Sequence, residues 1–143
     1  MWFGISILAV LIIASISDIR KKEIYLWEIL LCLGISLTKI IWEVATQRAD
    51  PMGIVISLLP GVFFILLALL SRQSIGYGDG FLLLCMGPSL GASGALAGCI
   101  VAIFLSGIVS GALLVLKKAG RKMQIPFVPF MTIGMGVTLF AKI

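Results

Sequence analysis

Charged residues cut this chain into uncharged or nearly uncharged runs, most of them close to the length of one bilayer crossing. A hydrocarbon core of ~30 Å takes about 20 residues of helix. Residues 1–17 form the first run, closed by Asp18-Ile19-Arg20-Lys21-Lys22-Glu23. Residues 24–45 form the second, with Glu28, Lys39 and Glu43 toward its ends, where long side chains snorkel. Gln47-Arg48-Ala49-Asp50-Pro51 is a polar turn, and residues 52–71 are a third, uncharged run ended by Arg72. Residues 80–116 carry no charge at all, a stretch too long for one crossing. Gly91-Ala92-Ser93-Gly94 is the natural hinge within it, because glycines and small polar residues punctuate helices. That divides the stretch into a fourth helix ending near Gly91 and a fifth over residues 95–116. The basic loop Lys117-Lys118-Ala119-Gly120-Arg121-Lys122 follows, and residues 126–141 supply a short sixth span.

Composition leaves little room for another reading. Apolar residues make up 61% of the 143, charged residues 12%, and the mean hydropathy is +1.22. Soluble domains run at ~45–50% apolar, and a chain with so few polar side chains cannot build a hydrated shell. The expectation is an all-α integral membrane protein with six transmembrane helices in a single domain, residues 1–143. Met1-Trp2-Phe3-Gly4 lacks the basic residue of a secretory signal, so the first run reads as a retained span.

Lysine and arginine set the orientation. In a six-helix chain, the loops after the first, third and fifth helices share one face. They carry Arg20, Lys21, Lys22, Arg72, Lys117, Lys118, Arg121 and Lys122, against Lys39, Arg48 and Lys142 on the other side. The positive face is expected to be cytoplasmic and both termini extracytoplasmic. A basic edge on anionic lipid accounts for the net charge of +5, with no nucleic acid partner.

Several chemistries fall away. There is no histidine, and Cys32, Cys85 and Cys99 lie far apart in apolar runs. Without paired spacing they read as small buried hydrophobes, so neither a metal nor another cofactor is expected.

Three aspartates remain: Asp18, Asp50 and Asp79. Asp50, next to Pro51, reads as a solvated turn residue. Asp18 ends the first run and Asp79 begins the fourth, so both are expected at the cytoplasmic side. The fourth helix reaches a full crossing only if it starts near Ser74, which puts Asp79 below the membrane edge, where a carboxylate is a functional candidate. A capping role in the first helical turn is the plainer alternative. Gly76-Tyr77-Gly78-Asp79-Gly80 puts glycine on both sides of that acid, so backbone can approach another chain closely. Two carboxylates sharing a site tend to hold one proton between them. The charged member can activate water while the protonated one polarises a carbonyl, and an aspartate pair can equally relay protons in a transporter.

These residues resemble the type IV prepilin peptidases, membrane members of the GxGD aspartyl proteases. Gly76-x-Gly78-Asp79 matches the family's second catalytic motif, and Asp18-Ile19-Arg20 before Ile24 is similar to the first. Ile125-Pro126-Phe127-Val128-Pro129-Phe130, followed by Gly134, resembles its C-terminal signature. The resemblance implies a GxGD-protease-like bundle in the bacterial cytoplasmic membrane. It implies an aspartic endopeptidase that removes a short basic leader from prepilin or pseudopilin-like substrates, in type IV pilus or secretion systems. Asp18 and Asp79 carry over as the catalytic pair, Gly76 and Gly78 as backbone elements of the motif. Tyr25-Leu26 stands where many members have Pro-Asn, and Phe81 where many have lysine. The short loop from Asp18 to Glu23 has no room for the cysteine-rich segment of the bifunctional members, so no methyltransferase activity is expected.

The rival readings are a small proton-relaying transporter or channel subunit using Asp18 and Asp79, a signal-peptide-peptidase-type protease, and a structural assembly subunit. A relay wants polar groups continuing toward the outer face. The second class carries a Pro-Ala-Leu element not present here. Gly107 and Gly111, which favour the third, more often serve internal packing.

Overall fold

The computed structural model describes residues 2–21, 23–70, 76–116 and 125–141, and every element in them is helical. In chain order these are α1 (Trp2–Lys21), α2 (Leu26–Ala45), α3 (Pro51–Leu70), α4 (Tyr77–Val115) and α5 (Val128–Ala141). Helices α1, α3 and α4 are long and apolar enough to cross a membrane. Helix α2 is as long as α1 but carries Glu28, Lys39 and Glu43, and α5 is shorter. The basic residues Lys22, Arg72 and Lys142, the loop 117–122 and the expected helix start at Ser74 lie outside the described residues.

The bundle is apolar on its outside. Phe63, Leu66, Ile100, Phe104, Leu114 and Trp42 are all exposed, as are large apolar residues on every helix. Buried polar side chains sit inside: Asp18, Glu28, Ser36, Ser57 and Ser89. An apolar surface this extensive is far beyond what a water-soluble monomer exposes.

Helix α4 is the hub, packed against all four others, while among the described helices α3 packs on α4 alone. The α3–α4 crossing is antiparallel and close. A side chain at Gly80 would strike Ile65, one at Gly61 would strike the Leu84 backbone, and one at Gly87 would strike the Ser57 carbonyl. Small residues spaced about one turn apart let the two backbones approach, the usual basis of helix association in lipid.

Helix α4 is broken within the expected hinge. Gly91 has φ 75° and ψ 169°, a region essentially confined to glycine, so the helical run splits there into two segments. Lys39 Nζ donates to the Pro88 carbonyl in the last turn before the break, at 2.8 Å, and pairs with Glu43 at 3.1 Å. A cation there answers the negative end of the segment. Lys39 thus ties α2 to α4 at the break. Beside it the Ser36 hydroxyl is shared with Ser89 at 2.7 Å and also donates to the Cys85 carbonyl.

Asp50 is exposed, with Pro51 at the first position of α3, as a solvated turn residue should be. Helices α1 and α5 run antiparallel. Gly4 faces Leu139, Gly136 faces Leu8, and the Thr132 hydroxyl donates to the Leu11 carbonyl at 3.1 Å. Followed along α1, this register leads to the start of α5 at Asp18.

Candidate active site

Asp18 occupies the last turn of α1 and is 7% exposed. Its partner is set by how α5 begins. The Phe127 carbonyl accepts the amides of Phe130 and Met131, both at 3.1 Å, so Val128 is the first helical residue. Amides at the start of a helix have no acceptor within it. Pro129 has no amide to offer, so Val128 supplies the free donor of the first two helical positions. It donates to Asp18 Oδ2 at 3.1 Å. The Phe127 amide faces the same carboxyl more weakly.

That amide is held firmly. Val128 is fully buried, and the Phe127 ring packs on Phe64 of α3 with centroids 5.1 Å apart. The positive end of the α5 dipole therefore points at an acid on a different helix, a favourable arrangement. The Pro126–Pro129 segment thus supplies a donor to the carboxyl of Asp18.

Asp79 is in the first turn of α4, half-buried, with Gly76 as the preceding cap residue. Its amide donates to the Gly76 carbonyl at 3.3 Å. Among the described residues none donates a hydrogen bond to its carboxyl, and α4 has no side-chain cap. A side chain at Gly76 would come within 3.4 Å of Asp79 Oδ2. One at Gly78 would meet Ile24 at 3.0 Å (Cδ1) and 3.2 Å (Cβ). Gly78 is thus where the segment entering α2 touches the start of α4, and a bare backbone permits the contact.

A third carboxyl, buried next to the residue before Asp18, was not singled out from sequence. Glu28, in the first turn of α2, is 0% exposed. Its Oε1 accepts the Ser17 hydroxyl at 2.8 Å, its Oε2 accepts the Tyr25 amide at 3.2 Å, and its field reaches Asp18. Its position in the second run suggested a snorkelling side chain. The one local signal was its spacing from Tyr25, that of a glutamate reaching back to a cap amide. Among the described residues no three His, Cys, Asp or Glu side chains are placed to share a metal ion.

The chemistry on offer is that of three acids buried to different degrees. Asp79 is partly exposed, Asp18 is nearly buried, and Glu28 is fully buried. In comparison with known proteins, a family model described as "Type IV leader peptidase family" matches residues 5–116, more than half of the chain. The match includes Asp18, Glu28 and Asp79 and stops before α5. No curated protein and no solved structure matches.

Proposed function

Because this chain belongs to the type IV leader peptidase family, a family of proteases, we propose that it is a membrane aspartyl endopeptidase whose paired acids are Asp18 and Asp79. What supports the reading is that Asp18 lies in the last turn of α1 and Asp79 in the first turn of α4, both within the residues the family model matches. Two such carboxyls hold one proton between them. The Val128 amide supports the charged form of Asp18, and in this reading Asp79 carries the proton.

The reaction follows from that division. Asp18 takes a proton from water, whose oxygen bonds to the scissile carbonyl carbon, while Asp79 gives its proton to the carbonyl oxygen. The resulting gem-diol returns a proton to Asp79 as its C–O double bond reforms. Asp18 gives its proton to the amide nitrogen, the C–N bond breaks, and an acid and an amine leave. Water is the one co-reactant.

The substrate of this reading is a prepilin or pseudopilin-like protein with a short basic leader and a hydrophobic helix. It is cut at the cytoplasmic face of the bacterial inner membrane. Six crossings with both termini outside put both acids on that face, and the basic residues Arg20 and Lys21 beside Asp18 fit the positive-inside rule.

Leader removal from a co-expressed prepilin-like substrate, followed by gel mobility, tests the reading with Asp18→Asn and Asp79→Asn. Asparagine keeps the size of the side chain and removes the titrating group. Cleavage by the unsubstituted protein and its loss in either variant, at equal protein levels, is the expected result. Cleavage that survives both substitutions rejects the aspartyl mechanism.

A further inference from the structure

The buried acid that this mechanism leaves unused is Glu28. A carboxyl with no exposed surface touches neither substrate nor attacking water, so it cannot be a catalytic residue. It nevertheless spans two elements. One oxygen takes the hydroxyl of Ser17, the residue before Asp18, at 2.8 Å; the other takes the amide of Tyr25, the residue before α2, at 3.2 Å. The link between α1 and α2 is short, and Ile24 within it packs against Gly78 of the α4 start.

We infer that Glu28 is a positioning residue for Asp18, clamping the end of α1 to the start of α2 so that the Asp18 carboxyl stays on the Val128 amide. The inference rests on the aspartyl reading above. Three features support it. The clamp closes next to the acid, one residue away, so rotation of the last turn of α1 would break the Ser17 bond and displace Asp18 together. Both Glu28 oxygens are used, each by a donor from a different side. A buried group of this kind is kept in place by its donors, since leaving either unmatched is costly. Finally, Tyr25 supplies an amide that a proline at this position would lack.

A clamp and a mere packing element differ in what they do to turnover. Displacing Asp18 from its donor alters the chemical step, whereas substrate is held elsewhere, so the loss falls on kcat and leaves KM alone. The test is made on the full chain reconstituted in lipid vesicles, with a synthetic prepilin-like peptide as substrate. Glu28→Gln, Ser17→Ala and Ser17→Thr are compared with Asp18→Asn. Gln can keep the Tyr25 bond through its carbonyl oxygen while its NH2 donates to the Ser17 oxygen, and Ala removes the hydroxyl.

Ser17→Ala should lower kcat about tenfold, the worth of one buried hydrogen bond, with KM unchanged within about twofold, and Glu28→Gln should lower it less. Ser17→Thr, which keeps the hydroxyl, should restore turnover. If Glu28→Gln fails to accumulate in the membrane, the Ser17 pair decides alone. Unchanged kcat in Ser17→Ala, a loss that falls on KM, or failure of threonine to rescue overturns the clamp. In each of those cases inactive Asp18→Asn leaves the aspartyl reading standing. An active Asp18→Asn rejects the aspartyl reading itself, and the clamp with it.

Discussion

Replacing Val128 with proline removes one hydrogen atom's worth of chemistry from the site and little else. Val128 is the first residue of α5, where a helix tolerates proline because the missing amide has no helical acceptor. Phe127 before it is outside the helix, as the residue preceding a proline prefers to be. Proline is close to valine in bulk, so the buried pocket stays filled. What disappears is the 3.1 Å donation to Asp18 Oδ2. A hydrogen bond to a charged acceptor contributes about 1.5–3 kcal/mol. With the donor gone the charged form of Asp18 loses that support, and kcat for leader cleavage should fall roughly ten- to hundredfold. The control is Val128→Ala, which keeps the amide but leaves a small cavity. It should lower thermal stability by about 1–2 kcal/mol and keep most of the activity. Single-turnover cleavage by purified protein in vesicles, with membrane levels matched, separates the two. Proline within twofold of the unsubstituted rate, or alanine as damaging as proline, would refute the claim that this amide sets the state of Asp18.

The remaining predictions test other parts of the same architecture. Gly78→Ala drives a methyl to within 3.0 Å of Ile24 and should slow cleavage about tenfold; trimming the neighbour with Ile24→Val, which removes the nearest atom, should recover part of the loss in a double-mutant comparison. Gly91→Ala meets no atom within 4 Å, so its whole cost is backbone strain at φ 75°; about 1–3 kcal/mol of lost stability in denaturation from detergent micelles is expected, with cleavage by the folded fraction unchanged. Lys39→Met removes the donor to Pro88 and the partner of Glu43. It should destabilise the protein by about 1–2 kcal/mol without altering kcat, because that end of α4 is remote from Asp79 in the chain.

Several of these elements were legible in the amino-acid sequence, for a physical reason that can be stated. Helical runs are bounded by charges and breakers, which are local properties, so α2 and α3 begin and end within a few residues of the expected limits. The hinge at Gly91 was legible because positive φ is a property of the residue itself. The candidate acids were legible because an aspartate at the end of an apolar run is rare. The family match agrees with the resemblance read from Asp18 and the Gly76–Asp79 motif.

What stayed hidden depends on pairings between distant residues. Val128 lies 110 positions from Asp18, and nothing in the sequence around either one says which amide meets which carboxyl. Glu28 looked like any charged residue near the end of a span until the antiparallel packing of α1 and α2 closed around it. Lys39 showed no acceptor until the break in α4 put the Pro88 carbonyl within its reach. Apolar run length and backbone freedom are written residue by residue, so the sequence determined the helices and the hinge. The partner of each buried polar group depends on which helices lie side by side and in what register, and only the tertiary structure decided that.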